Sequence, residues 1–394
     1  MINTIAISNY RSLLQLTIPF GNLNVITGEN ASGKSNLYKA LRLLSDTAQG
    51  GVINSLAREG GLNSTFWAGP ENITKRMRAG DIEIQGGPRQ KAARLRLGFS
   101  GEEFGYAISL GLPTPTPGNA GPSAFSLDPE IKRECIWAGS VFRPANVLVD
   151  RSGSVVKVRS SRSWEVVAQH TSTFESIFSQ AIDPVKAPEI VSLKEQIRSW
   201  RFYDHFRSDS DAPARLPQLG TRTTVLHHDG RDLAAALQTI IEIGDFVALQ
   251  EAITDAFPGA SLSVSVQKDG RFNVNLRQEG LLRPLSGSEL SDGTLRYLLW
   301  VAALLTPRPP PLMVLNEPET SLHPDLLPAL ARLIVRAATK TQVWVISHAS
   351  RLISALERAD ECNSIQLEKN LGQTLVAGQR LLDEPAWHWP DKSK

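Results

Sequence analysis

From Ser261 to Arg277 the chain reads SLSVSVQKDGRFNVNLR, with apolar side chains at every second position on both sides of Lys268-Asp269-Gly270. Period two marks strands with one buried face, and a three-residue turn ending in glycine joins them as a hairpin. The register this predicts pairs Val266 with Phe272, Val264 with Val274 and Leu262 with Leu276. The stretch ARLRLGFSGEEFGYAISLGL, residues 93–112, alternates in the same way and predicts a second pair of strands. Helical spacing takes over at Leu37, Leu41 and Leu44, and again in SLKEQIRSW and RDLAAALQTIIEI. The heptads a long coiled-coil arm requires are missing. Other apolar runs do not alternate: Leu312–Leu315 and QVWVIS at 342–347 read as strands buried on both faces.

These elements fall in an order. Strand, loop and helix fill residues 1–50; helix, strand, helix and strand return after about 280, which is an α/β pattern. Between them lie a β-rich antiparallel lobe at about 51–169 and a helical lobe at about 170–255, both expected as insertions into one unit formed by 1–50 and 256–394. The Pro/Gly-rich PTPTPGNAGPS after residue 112 reads as a surface loop.

Composition narrows this little. A net charge of +2 exerts no global pull on polyanions, so any nucleic-acid contact would need a local patch. Cys135 and Cys362 are far apart and lack metal-site spacing. Without a signal-like start or a long apolar span, the expectation is a soluble cytoplasmic protein with no membrane partner.

The chemistry begins at GENASGKS, between a predicted strand and a predicted helix. This is a phosphate-binding loop: Gly28, Glu29, Asn30, Ala31, Ser32, Gly33, Lys34, Ser35 and Asn36 are the candidate nucleotide-binding residues. Gly28 and Gly33 let successive N–H groups turn inward, and the following helix adds its positive end. Lys34 can reach the β- and γ-phosphates, and the Ser35 hydroxyl can ligate Mg²⁺. In ELSDGTLRYLLWVAALL, Ser291 is the expected N-cap with Asp292 and Gly293 in the first turn, a helix start that alone would be an ordinary capped helix. Glu317, just past the strand 312–315, is placed to take a proton from an attacking water. His348, at the end of the other buried strand, could hydrogen-bond the γ-phosphate and that water.

The set NYRSL, GENASGKSNL, LSDGTLRYL, LNEPETSLHP and VISH, in this order, resembles the RecF/SMC-like ATPases of the ABC class, and in particular the RecF-type AAA-family ATPases of bacteria. The likeness covers roughly 1–50 and 280–360. It implies a P-loop NTPase head with an antiparallel β lobe and a helical lobe. ATP and Mg²⁺ would be the cofactors, and a head-to-tail homodimer would enclose two nucleotides. By the same likeness Ser291, Asp292 and Gly293 would act in trans, Glu317 as base, His348 as switch, and Ser321 to Pro324 as a loop across the dimer seam. The family's glutamine between phosphate loop and signature has Gln180 as one candidate among several. WRFYDHFR and DGRDLAAAL also resemble this branch.

The departure is Asn316, where the family carries a Mg²⁺-site aspartate. An amide oxygen in place of a carboxylate costs on the order of 1 to 2 kcal/mol, about tenfold in Mg²⁺ affinity, which weakens the metal position of Ser35 and Asn316 without abolishing it. Glu319 adds a nearby negative charge. The expected activity is slow ATP hydrolysis. Two settings compete: an ATP-dependent clamp on double-stranded DNA in repair or recombination, or a switch that gates a separate effector such as a nuclease in phage defence. For the first, Lys75, Arg76, Arg78, Arg89, Lys91, Arg94, Arg96, Arg151, Lys157, Arg159 and Arg162 give the β lobe a basic bias that either contacts phosphates or is a solvated face.

Overall fold

A computed structural model describes residues 1–71, 73–83, 92–113, 124–160, 163–380 and 383–390. Arg89, Lys91, Arg162 and the loop at 114–123 lie outside the described residues. The chain forms two compact units. The first contains Met1–Phe20, Gly28–Ser199 and Ile365–Lys394; the second contains Gly21–Thr27 and Trp200–Ser364.

The first unit is built on an eight-stranded antiparallel sheet. Its strands run in the spatial order Leu13–Pro19, Ile2–Tyr10, Leu95–Gly101, Phe104–Gly111, Glu130–Ala138, Val147–Ser152, Val155–Ser160 and Ser163–Ala168. The pair expected at 93–112 forms in the alternating register, with Leu97 opposite Ile108 and Phe99 opposite Tyr106. The N-terminal strand joins the same sheet, placing Ile5 opposite Phe99 and Ile7 opposite Leu97. Residues 52–79, expected inside a β-rich lobe, form short helices at Val52–Arg58, Leu62–Thr65 and Lys75–Ala79, in keeping with the lack of period-two alternation there.

One face of this sheet buries an ion pair. Arg151 and Glu134 are 2.7 Å apart and both side chains are fully buried. Glu134 Oε1 accepts from the Tyr106 hydroxyl at 2.7 Å and from Ser176 Oγ at 2.6 Å, and its Oε2 accepts from the backbone N–H of Ile177. Arg151 donates to the carbonyls of Gly153, Ser172 and Glu175. The network fastens segment 172–177 to the sheet. It also corrects the inclusion of Arg151 among the residues available to nucleic acid: its charge is spent internally, and no solvent reaches it.

The second unit contains a parallel sheet in the order Arg201–Tyr203, Leu312–Asn316, Gln342–Ile346 and Leu23–Gly28. Its inner strands are buried throughout over 312–315 and 342–346, as their unbroken apolar runs require. The helices Leu233–Ile243, Phe246–Ala256, Asp292–Leu304 and Leu327–Ala338 supply the rest of one apolar core with Val343, Val345, Met313 and Leu315. The hairpin 261–277 has the expected register, and Gly270 closes it at φ 81°.

The segment 170–255, expected as one helical lobe, is divided at Ser199–Trp200 between the two units. Helix Pro188–Arg198 belongs to the first, while Arg201–Tyr203 is a strand at the edge of the parallel sheet in the second.

Removing one partner of a buried ion pair leaves an unpaired charge in low dielectric. Glu134→Ala is therefore expected to lower unfolding stability by about 3 to 5 kcal/mol, read as a shift in the urea midpoint monitored by tryptophan fluorescence.

Candidate nucleotide site

Strand Leu23–Gly28 runs into the phosphate loop, and helix Lys34–Ala48 begins where the motif requires. The loop's shape depends on two glycines. At Gly28, φ is 149°, and an added Cβ would lie 2.4 Å from the Leu367 carbonyl oxygen. Gly33, with φ 113°, would bring a Cβ to within 2.1 Å of Thr374 Oγ1. No other residue fits either position. Ala31 also has positive φ, 65°, without glycine's freedom, a strain of the kind that collects at functional loops. Lys34 is buried and folds back across the loop, its Nζ donating to the carbonyls of Gly28 (2.5 Å) and Glu29 (3.0 Å). Glu29, Asn30 and Ser35 are exposed.

Behind the loop runs a relay that the motif does not encode. Asn36 Nδ2 donates to Ser12 Oγ at 2.8 Å, Ser12 Oγ meets Thr374 Oγ1 at 2.7 Å, and Thr374 Oγ1 donates to the Ser32 carbonyl at 2.8 Å. The backbone N–H of Thr374 donates to the Ser12 carbonyl. Asn36 thus turns its side chain toward the back of the loop. Ser12 belongs to the NYRSL stretch, but it sits 362 residues from Thr374 in sequence, so no local pattern could have pointed to their pairing.

In the second unit the parallel register sets Asn316, Ile346 and Ile26 in one row across three strands. Strand Gln342–Ile346 lies between the other two, all three run parallel, and the row stands at their C-terminal end, with Ile26 two residues before Gly28 along the chain. That end is where parallel α/β sheets bind ligands. Glu317 follows immediately, exposed, with φ 49° and its N–H donated to the Ile346 carbonyl at 2.8 Å. Ser321 is likewise strained at φ 61°.

Glu319, expected from sequence only as a nearby negative charge, also has a structural role. Its Oε1 accepts from Ser347 Oγ at 2.7 Å and from the backbone N–H groups of His348 (3.1 Å) and Ala349 (3.2 Å). This carboxylate therefore shapes the turn that carries His348. His348 Nδ1 lies 3.4 Å from Glu319 Oε1 and 3.8 Å from Glu317 Oε1, with the ring exposed. Glu319 Oε2 is buried without a hydrogen-bond partner among the described residues.

A divalent cation of the Mg²⁺ type prefers hard oxygen donors and keeps several waters. In the second unit the Asn316 amide oxygen and the unpaired Glu319 oxygen are donors of that chemistry, and in the first the exposed Ser35 hydroxyl is another, so the residue types present fit such an ion.

Ser291 is the N-cap of helix Asp292–Leu304: its Oγ accepts from the Thr294 N–H at 3.2 Å. Ser291 and Asp292 are exposed at this helix start. An added Cβ at Gly293 would stand 3.5 Å from the Ser321 carbonyl oxygen, so the helix start packs beside the loop that follows Glu317. In the first unit Gln180 follows a short 3-10 turn and donates to Glu175 Oε2 at 3.1 Å.

Residues 150–354 match the family model described as "AAA domain, putative AbiEii toxin, Type IV TA system". Residues 1–85 match the model described as "AAA ATPase domain". A comparison with curated proteins returns no match. Among solved structures, the SMC head bound to the C-winged helix domain of ScpA is similar over 97% of this chain and 98% of that one, at 13% identity and a TM-score of 0.52. The SMC head domain from Thermotoga maritima aligns over 96% and 99% of the two chains at 14% identity and a TM-score of 0.48. The head with an extended coiled coil from Pyrococcus furiosus, bound to the C-terminal domain of ScpA, aligns over 95% of each at 13% and 0.48. No helix of the described residues is long and apolar enough to cross a membrane. With one family model spanning just over half of the chain, the chain belongs to the AAA domain family that this model describes, and its fold is similar to that of an SMC head.

Proposed function

We propose that the chain is a slow, Mg²⁺-dependent ATP-hydrolysing switch that works as a head-to-tail homodimer, with residues 1–50 and 256–394 carrying the nucleotide chemistry of one head. The observation that carries this reading is the register row of Asn316, Ile346 and Ile26, with the strained Glu317 next in the chain and Gly28 two residues on.

In this reading the loop N–H groups of 28–35 and Lys34 Nζ bind the phosphates, and Lys34 exchanges its two carbonyl partners for phosphate oxygens. Ser35 and Asn316 hold the ion, which when bound neutralises developing charge on the phosphates. Glu317 accepts the proton of the attacking water, and His348, held by the Glu319 turn, orients that water. The exposed Ser291 hydroxyl and the Gly293 backbone meet a second molecule's nucleotide. A helix start with that geometry and no phosphate loop beside it in sequence is a reason for two copies to associate.

Double-stranded DNA is the partner this reading favours. In the first unit a groove of about 560 Å³ is lined by Arg94, Lys132, Arg133, Ser152 and Lys157, with Asp150 engaged by Arg133 at 2.9 Å. Lys132 and Arg133 join the basic residues expected from sequence, and Arg151 leaves them. A second reading, an ATP-controlled switch on a separate effector such as a nuclease, draws on the toxin–antitoxin description of the matched family. ATP-dependent co-purification of a separate protein in place of DNA binding would decide for it.

Glu317→Gln is expected to lower the steady-state ATPase rate by about 10² to 10⁴ while nucleotide binding persists; unchanged turnover would refute the base assignment. Asn316→Asp restores a charged ligand, so half-maximal activity should need about tenfold less Mg²⁺, checked by titrating Mg²⁺ at fixed ATP. If the groove contacts phosphates, Lys157→Ala should reduce the slope of log affinity against log salt by about 1, without regard to DNA sequence. Equal slopes for wild type and variant would place the DNA elsewhere.

A further inference from the structure

Two arginines that the nucleotide chemistry does not use are buried around the Ser-Asp-Gly helix start. Arg296, one turn into the helix, is 7% exposed. Its Nε donates to Ser208 Oγ at 2.9 Å and its Nη1 to the Thr320 carbonyl at 3.2 Å. Its terminal nitrogens face the His205 ring at 3.5 and 3.3 Å. No carboxylate lies within ion-pair distance of it among the described residues.

Arg215, also 7% exposed, clamps the chain just before the helix. It donates to the carbonyls of Gly287, Leu290, Ser208 and Asp209 and pairs with Asp292 at 2.5 Å. The segment 205–215, which carried no chemistry in the sequence, is thus the scaffold on which both guanidiniums are held.

A buried cation without a carboxylate is costly, and an apolar side chain would fill the same space in an otherwise apolar helix. What the guanidinium adds is direction: charge-assisted hydrogen bonds fix the relative position of what they join. Arg296 joins the helix to Thr320, whose own N–H donates to the Glu317 carbonyl at 3.0 Å. Thr320 lies between the two strained residues of this loop, Glu317 and Ser321. Gly293 approaches the Ser321 carbonyl alongside. The helix start and the Glu317 loop therefore have two joints, and the arginine is the stronger one. Burial lowers the pKa of Arg296 and the charge of Asp292 opposes that fall, so the group stays charged at neutral pH.

We propose that Arg296 is a positioning residue that couples the Ser-Asp-Gly helix start to the Glu317 loop, so that an anion held at Ser291 and Gly293 sets the aim of the Glu317 carboxylate. This rests on the ATPase reading above. Phosphate binding by one subunit's helix start would reach that subunit's own base through Thr320, which makes hydrolysis in the two halves of a dimer interdependent.

The test uses the full chain with Arg296→Met, Arg296→Lys and Ser208→Ala, and reads both hydrogen exchange of peptides spanning 317–322 and steady-state ATPase kinetics. Arg296→Met should speed exchange in this loop and lower kcat, each by at least about tenfold, with KM for ATP within about threefold of wild type. Arg296→Lys should recover part of both, and Ser208→Ala, which removes one acceptor and leaves the charge, should move them in the same direction by less. Loop exchange and kcat within twofold of wild type in a folded Arg296→Met protein overturn the proposal, as does a rise in KM with kcat unchanged. If Arg296→Met does not fold, Ser208→Ala decides by the same two readouts, with wild-type values for both counting against the coupling. A wild type that hydrolyses no ATP would refute the ATPase reading alone, because loop exchange still reports whether Arg296 holds the Glu317 loop.

Discussion

Parallel pairing of strands 23–28, 342–346 and 312–316 is the constraint on which the candidate chemistry depends. Parallel strands deliver their C-terminal ends to the same edge, so the ends of three strands distant in sequence, at Ile26, Ile346 and Asn316, come to one row of the sheet. Nothing in any one loop determines that meeting. Register does, and a shift of one residue would carry Asn316 and Glu317 away from the row that contains Ile26. The sheet resists such a shift because its inner strands are buried on both faces, where each side chain fills space shaped by its neighbours.

The molecule holds its buried charges in three different ways. Glu134 and Arg151 neutralise each other in complete burial and have their remaining valences met by hydroxyls, an amide and carbonyls, a closed network that fixes structure. Glu319 gives one oxygen to the Ser347–Ala349 turn and, among the described residues, leaves the other unpaired, an arrangement that is half structural and half available. Among the described residues Arg296 has no carboxylate partner and is stabilised by a carbonyl, a hydroxyl and the imidazole of His205. The closed network belongs to the first unit, whereas the two incompletely neutralised groups of the second both touch the loop or turn next to Glu317. Uncompensated burial costs stability, and in the proposed function it is concentrated where a second charge, from an ion or a phosphate, would arrive.

What could be read from sequence was local. The hairpin 261–277 obeys its alternation and its glycine turn to the residue, because register there is set by neighbours within seventeen positions. The phosphate loop and the Ser291 cap are equally local, each being a short backbone shape with a fixed residue requirement. Strand 201–203 was hidden because three residues are too few to show a period, and Phe202 and Tyr203 suit a helix face as well as a strand. Arg151 was misread as a surface cation since a charge on an alternating strand is ordinarily the solvent-facing residue; its burial depends on Glu134, seventeen positions away on another strand. Ser12 with Thr374, and Arg296 with Ser208 and Thr320, are pairings across tens to hundreds of residues, and only the folded chain brings them together.

Asn316 gains its meaning from this company. As an isolated substitution it removes one negative charge beside the proposed ion and weakens its hold. The carboxylate two residues after Glu317 partly replaces that charge, but Glu319 is tied through Oε1 to the turn of His348, so a cation drawn toward its free oxygen would also pull on the histidine's support. An aspartate at 316 would hold the ion independently of that turn. With an amide there, the proposed ion would draw on the same Glu319 carboxylate that supports the His348 turn, and the state of each would depend on the other. A weak metal position is then better suited to a switch, which must release as well as bind, than to an enzyme built for turnover.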